Sequence, residues 1–333
     1  MNQALPSNTQ TAATDAVDDC KNLGLLLDKF APWMERDGEW NLWMETTARR
    51  PWVSGSGAKG VWLRESPGNA VSSVLRPSSH RDTDLIVRAL ARWRAMVGAQ
   101  GAAPFEMKVD YRLVVGFGAE HVLETNLCLH RIYGFPIIPG SAVKGVTRAW
   151  AFWQIAEQLA LAPDKLQLRI LERLLSEGDK REQMQLWDEL QLQPARNFTH
   201  WQSLSREFYG VFGTTERQGQ VVFFDAYPRD PQRLKLELDI INPHYGPYYS
   251  DPQGRTPPAD YLDPSPTYFL TVAMGTPFQF AVASKVSAWA DKAQEWLKDA
   301  LTDIGIGGKT SAGYGFMTSN TGASAQSPDA TNG

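Results

Sequence analysis

Hydrophobic and polar positions alternate most cleanly in FEMKVDYRLVV, residues 105–115. There Phe105, Met107, Val109, Tyr111 and Leu113 oppose Glu106, Lys108, Asp110 and Arg112. A period of two predicts a half-buried strand, which requires an apolar layer against one face. Strand signals return at 219–227 (GQVVFFDAY) and at 266–284, the latter reading as two strands turned at Gly275 and Pro277. Helical spacing appears at 84–97 (DLIVRALARWRAMV) and again after Pro139 and Gly140. In that second segment Ser141 is the expected N-cap, and Val143, Val146, Trp150 and Trp153 fall on one face. Two further helices are expected over about 164–177 and 180–192, ending at Gly178 and Pro194. The strongest helical stripe is Val286, Trp289, Ala290, Ala293, Trp296, Leu297 and Leu301. The order strand, helix, strand, strand–turn–strand, helix, glycine-rich turn predicts an α+β sandwich with helices on one face of an antiparallel sheet.

Around this core, residues 1–19 and 318–333 are small and polar and read as disordered tails. Residues 20–104 read as a mostly helical N-terminal extension with a loop marked by SGSGAKG (54–60) and RPSSHRDTD (76–84). The core domain then occupies 105–317, with insertions at about 151–206 and 228–265. With 333 residues, 43% of them hydrophobic, the chain can bury a sizeable core, which excludes disorder throughout. No apolar run approaches roughly 18 residues, the length that spans a bilayer. The first residues carry no basic-then-apolar signal pattern, and Cys20 and Cys128 are too few for a disulfide framework. The expectation is a cytoplasmic protein with reduced thiols.

Charge adds a refinement. The formal net charge of −4 argues against a protein that coats nucleic acid with its whole surface. The distribution is more informative. From Asn126 to Trp150 there is no acidic residue, whereas Arg131, Lys144 and Arg148 are basic and His130 can become so. A second acid-free stretch, Ile304–Met317, carries Lys309.

The second stretch, IGIGGKTSAGYGFM, contains GGKT but is no phosphate-binding P-loop. Asp303 stands where such a loop needs its first glycine, and the turn follows a helix rather than a strand. What remains is a slim backbone (Gly305, Gly307, Gly308, Gly313, Gly315) with Lys309, Thr310 and Ser311. Its N–H groups could approach a phosphodiester closely; the competing reading is a helix stop leading into a strand. In the first stretch Ser141, Lys144 and Arg148 open a helix, with Lys144 and Arg148 four apart and expected to be exposed. Free N–H groups and two cations suit phosphate, against the alternative of a solvated basic face. His121, Glu124, Cys128 and His130 share one long loop but match no zinc spacing, and no nucleophile elbow or paired-carboxylate site is present. No cofactor is expected.

Taken together, GFPIIPGSAVKGVTR and IGIGGKTSAGYGF resemble the RAMP superfamily of CRISPR-associated RNA-binding proteins, which end in a glycine-rich loop. The string GFGAEHVLETNLCLHRIYGFPIIPGSAVKG, with REFYGVFGTTERQGQVVFFDAYP and DIINPHYGPYY, is similar to the sixth-RAMP-subunit family of the type III-B (Cmr) effector. The resemblance covers about 105–317. It implies a ferredoxin-like (RRM-like) palm with inserted helices and a thumb-like insertion, beside the N-terminal helical extension. It also implies a place in an antiviral ribonucleoprotein that holds a guide CRISPR RNA and captures complementary target RNA. This subunit type sits toward the 3′ end of the guide, among the backbone RAMP subunit, the first Cmr RAMP subunit and the small helical subunit. The RNA-binding residues expected are His130, Arg131, Ser141, Lys144, Arg148, Gly305, Gly307, Gly308, Lys309, Thr310 and Ser311. The related backbone subunit cuts RNA with an Asp in the loop after its first strand. Here that loop, 116–140, holds Glu120 and Glu124 but no Asp, so the chain is expected to be non-catalytic. The alternative is a RAMP endoribonuclease using His121 or His130 as general acid or base.

Overall fold

The computed structural model describes residues 22, 33–36, 39–45, 52–54, 83–119, 125–161, 164–190, 197–242, 245–249, 251–257 and 267–319. The N-terminal elements are β1 (Trp33–Arg36), β2 (Glu39–Glu45), β3 (Trp52–Ser54) and α1 (Thr83–Ala99). Then come β4 (Phe105–Val109) and four helices: α2 (Gly140–Gln158), α3 (Lys165–Ser176), α4 (Lys180–Glu189) and α5 (Asn197–Phe212). They are followed by β5 (Val221–Phe223), β6 (Tyr227–Pro228), β7 (Leu236–Ile241) and the single turn α6 (Gly246–Tyr249). The last elements are β8 (Thr267–Val272), β9 (Pro277–Phe280), β10 (Val282–Ser284), α7 (Ser287–Asp303) and β11 (Met317–Ser319).

A four-stranded sheet runs in the order β11-β4-β9-β6, and all its neighbouring strands are antiparallel. Register places Glu106, Gln279 and Tyr227 side by side on one face, so Met107 and Phe278 point to the other. The Met107–Phe278 face packs under α7, whose Trp296, Leu297 and Leu301 share one buried cluster with those residues and Met317. The opposite face is covered by α1. Trp93 stacks 5.6 Å from the Tyr227 ring, and Arg94 donates to the Gln279 side-chain oxygen at 2.8 Å. Helices therefore lie on both faces, not on one as the pattern suggested. The reason is legible in β9: PFQF is buried at every position, as expected of a strand covered on both sides.

Four further expectations change. The N-terminal extension carries strands that were not expected: β1, β2 and β3 form an antiparallel sheet among the described residues of 33–54, beside the helix α1. Arg36 pairs with Glu39, and the two residues between them, Asp37 and Gly38, are a strong hairpin sequence. Helix α5 lies partly beyond the expected 151–206 insertion; its buried Trp201, Leu204, Phe208 and Val211 show the 3-4-3 spacing of a helix face. In α2 the buried stripe is Val143, Thr147, Ala151 and Ile155, whereas Trp153 is 51% exposed. Finally, Thr318 and Ser319 belong to β11 and pair with Lys108 and Met107, so they are strand and not tail.

Beyond the sheet, β7 and β8 pair over six residues each, Leu236 with Val272 through Ile241 with Thr267. Its first strand lies in the expected 228–265 insertion and its second in the segment expected to be strand at 266–284. Leu113, just beyond β4, and Val272 exchange backbone hydrogen bonds and so join the hairpin's base to that chain.

Candidate RNA interface

The chain leaves β4 through Leu113, Val114 and Val115, all buried. Val114 accepts the Gly308 N–H at 2.8 Å, and Val115 accepts the Cys128 N–H at 2.7 Å. Two segments far apart in sequence, both free of acids, are thus fastened to adjacent residues of one buried strip. The glycine-rich turn and the 126–138 loop meet here.

The turn is tightly built. Gly305 closes α7, its N–H donating to Ala300 O at 3.0 Å, and Gly315 donates to Arg112 O at 2.7 Å. Gly307 and Gly315 hold φ of +97° and +77°, and a Cβ on them would stand 2.4 Å from Val114 O and 2.0 Å from Ile306 O. Only glycine fits either position. The N–H of Gly308 is spent on Val114, which corrects the expectation that it is open to a phosphate. The N–H groups of Gly307, Lys309, Thr310 and Ser311 donate to no described residue.

Lys309 also has a left-handed backbone, φ 61°. Its ammonium lies 5.4 Å from the centre of the Phe269 ring, 5.5 Å from Tyr314 and 5.9 Å from Phe117. Ring quadrupoles hold the cation in place without neutralising it. No carboxylate pairs with Lys309 among the described residues. The ring of Tyr314 is itself anchored, its hydroxyl donating to Asp239 on β7. Burial and the Asp239 charge push that hydroxyl up to about 12, so it stays protonated. Asp239 also accepts from Arg112 at 2.6 Å, and Glu237 accepts from the same guanidinium at 3.1 Å. Burial acts to raise the Asp239 carboxyl, but the donors Tyr314, the Ile240 N–H and Arg112 together hold it below the ordinary range. The hairpin is thereby tied to the turn.

In the 126–138 loop, His130 is held by its own turn. Its Nδ1 accepts the N–H groups of Ile132 and Tyr133 at 3.2 and 3.3 Å. Its ring sits 4.6 Å from Tyr133 and 5.1 Å from Phe135. Burial holds the imidazole below its ordinary value, against the opposing pull of Asp225, so it is neutral at pH 7. That removes it as an added cation. Burial also raises the Cys128 thiol, which disfavours a reactive thiolate. Arg131 is exposed and engages no described residue. His121, Glu120 and Glu124 lie outside the described residues. No group of three metal-ligating side chains occurs among the described residues.

At α2 the arrangement differs from the expectation. Pro139, not Ser141, is the N-cap, and Ser141 is exposed without capping the helix. The Gly140 N–H donates to the Asp225 carboxylate at 2.6 Å. A protein anion already occupies the position where the helix dipole favours negative charge. Lys144 is exposed, with its ammonium 3.5 Å from Phe212 O. Arg148, expected to be exposed, is half-buried: it donates to Ser176 Oγ at 2.9 Å, lies 3.8 Å from Glu172 and covers the Phe208 ring at 5.4 Å.

The strand–helix order, the antiparallel sheet and the glycine-rich turn before the last strand coincide with one family. The chain belongs to the RAMP superfamily, whose family model matches residues 106–318. It is similar to the CRISPR system Cmr subunit Cmr6 of Pyrococcus furiosus, with 39% identity over 235 residues, 67% of this chain and 69% of that protein. A crystal structure of Cmr6 from Pyrococcus furiosus matches at 36% identity, covering 66% of this chain and 97% of that chain with a TM-score of 0.44. Identity to the Cmr6 subunit of Saccharolobus solfataricus is 23% over 219 residues, 64% of this chain and 56% of that relative's length.

Proposed function

We propose that this chain is a structural RNA-binding subunit of a type III-B (Cmr) CRISPR ribonucleoprotein. In that assembly it contacts the guide CRISPR RNA toward its 3′ end, helps capture complementary target RNA and leaves cleavage to other subunits. The sheet order β11-β4-β9-β6, with α2 following the first core strand and α7 preceding the last, supports a ferredoxin-like palm. The β7–β8 hairpin is the thumb-like element beside it. Similarity to Cmr6 supports a place among the other Cmr subunits, including the backbone RAMP subunit and the first Cmr RAMP subunit.

One observation carries the RNA-binding reading. Lys309 is held above Phe117, Phe269 and Tyr314 with no carboxylate partner among the described residues. It stands on the same buried strip as the acid-free loop that presents Arg131. A cation fixed by rings and left uncompensated suits a phosphate, and backbone N–H groups beside it add donors without reading sequence. Thr310 and Ser311 follow Lys309 directly in the turn and continue that surface. The nuclease alternative is disfavoured at His130, which is neutral and occupied as a hydrogen-bond acceptor.

The test is co-purification from the native source of the tag-bearing chain, with sequencing of bound RNA and identification of bound proteins. Guide RNA and Cmr subunits are expected. Incubation of the purified chain with labelled guide precursor and target RNA, with and without Mg²⁺, is expected to leave both intact. Cleavage abolished by His130→Ala would overturn the non-catalytic reading.

A further inference from the structure

Helix α1 precedes the segment that matches the family, yet it borders the 126–138 loop. The Arg92 guanidinium donates to the Tyr133 hydroxyl and lies over the Tyr133 ring, 5.6 Å from its centre. One turn away on the same side is Arg88, exposed and engaging no described residue. Two residues before Tyr133 is Arg131, also exposed. The helix carries three arginines, Arg88, Arg92 and Arg94, against a single acid, Asp84, and no ion pair joins Asp84 to Arg88. Arg94 is turned inward to Gln279 and Arg229 O. The inner face, Ile86, Ala89, Leu90, Trp93 and Val97, is buried, which fixes the outer arginines on a rigid element.

We infer that α1 supplies a second RNA-binding surface, in which Arg88, Arg92 and Arg131 bind successive phosphates of a single-stranded RNA passing the 130–134 turn. The proposal rests on the RNA-binding reading above and extends the interface beyond the RAMP-matched residues. Guanidinium groups are suited to phosphate because their planar fork offers paired donors. Arg92, oriented on Tyr133, loses less side-chain freedom on binding than a free arginine. The patch is cationic on a chain whose formal net charge is −4, so its complement is a polyanion.

The test measures affinity of the full chain for a fluorescent, unstructured single-stranded RNA across a salt series. Three proteins are compared: the natural chain, Arg88→Ala with Arg131→Ala, and Lys309→Ala. The double variant leaves the Arg92–Tyr133 contact in place, and its melting temperature is expected to be unchanged. The slope of log affinity against log salt is expected to flatten by about 1.4, at about 0.7 for each lost phosphate contact. Lysine at both positions is expected to restore it. A double variant with the natural slope, beside a Lys309→Ala protein with a flattened one, overturns the α1 surface while sparing the glycine-turn reading. Absence of salt-dependent binding by the natural chain overturns both. Normal RNA binding with loss of a co-purifying protein would assign the arginines to an acidic protein surface and also overturn the proposal.

Discussion

The glycine-rich turn and the start of α2 look alike in sequence: each is acid-free, glycine-flanked and lysine-bearing. Folding separates them. At α2 the helix N-terminus receives the Asp225 carboxylate, and Arg148 is drawn to Glu172, Ser176 and Phe208. At the turn the cation Lys309 is surrounded by three rings, which attract it without cancelling its charge. A segment without acids in sequence need not be without acids in space. What distinguishes the two is which distant elements arrive: Asp225, just before β6, and Glu172 on α3 in one case, Phe269 on β8 in the other.

The comparison predicts its largest effect on folding. Gly307→Ala and Gly315→Ala each force a left-handed backbone and a Cβ within 2.4 Å of a carbonyl oxygen, so each is expected to destabilise by about 3 kcal/mol. A melting temperature lowered by roughly 6–12 °C would register this. Gly308→Ala serves as the control, since its Cβ would meet side-chain carbons and no backbone atom: Phe117 Cβ at 3.0 Å, with Phe117 Cγ and Val114 Cγ1 at 3.7 Å. Its expected cost is about 1 kcal/mol. If Gly308→Ala were as damaging as Gly315→Ala, the turn would not be built as described.

The next effect separates binding from stability. Lys309→Ala is expected to lower RNA retention in the assembled complex and to flatten its salt dependence by about 0.7, with a stability loss of no more than about 1 kcal/mol. Arg148→Ala is expected to do the reverse, costing about 1 kcal/mol through Phe208 and Ser176 while leaving the salt slope unchanged. Equal slopes in the two variants would erase the distinction between the regions.

A smaller effect concerns pH. His130 has a folded pKa held below its unfolded value by burial, so the unfolded chain binds more protons in that window. Its contribution to stability is therefore full above the ordinary histidine value of about 6.5 and declines as pH falls below it. Thermal melts between pH 7 and pH 5 are expected to show a loss that His130→Gln reduces.

Much of the core was legible because it rests on local periodicity. Alternation marked β4, although the strand ends at Val109 and not at 115 as the pattern suggested, and the Trp296–Leu301 stripe marked α7. The β-sheet's second cover was not legible as such, because α1 shows only that it has an apolar face, not which surface receives it. The hairpin at 33–45 carried a readable signal in Asp37-Gly38 between aromatic runs, and α5 carried one in Trp201, Leu204, Phe208 and Val211. The site was half legible. Glycine spacing and missing acids pointed to the turn, but the partners of Lys309 come from residues 117, 269 and 314, and no local pattern joins them. The same holds for Asp225, which caps a helix 85 residues earlier in the chain.

The most direct measurement is ultraviolet cross-linking of the purified ribonucleoprotein, followed by mass spectrometry of nucleotide-bearing peptides. Cross-links on peptides containing Lys309 and residues 126–138, and none on the Lys144–Arg148 segment, are the result expected. Cross-links concentrated at Lys144–Arg148, with the glycine-rich turn unmarked, would contradict the assignment of the RNA path to the turn.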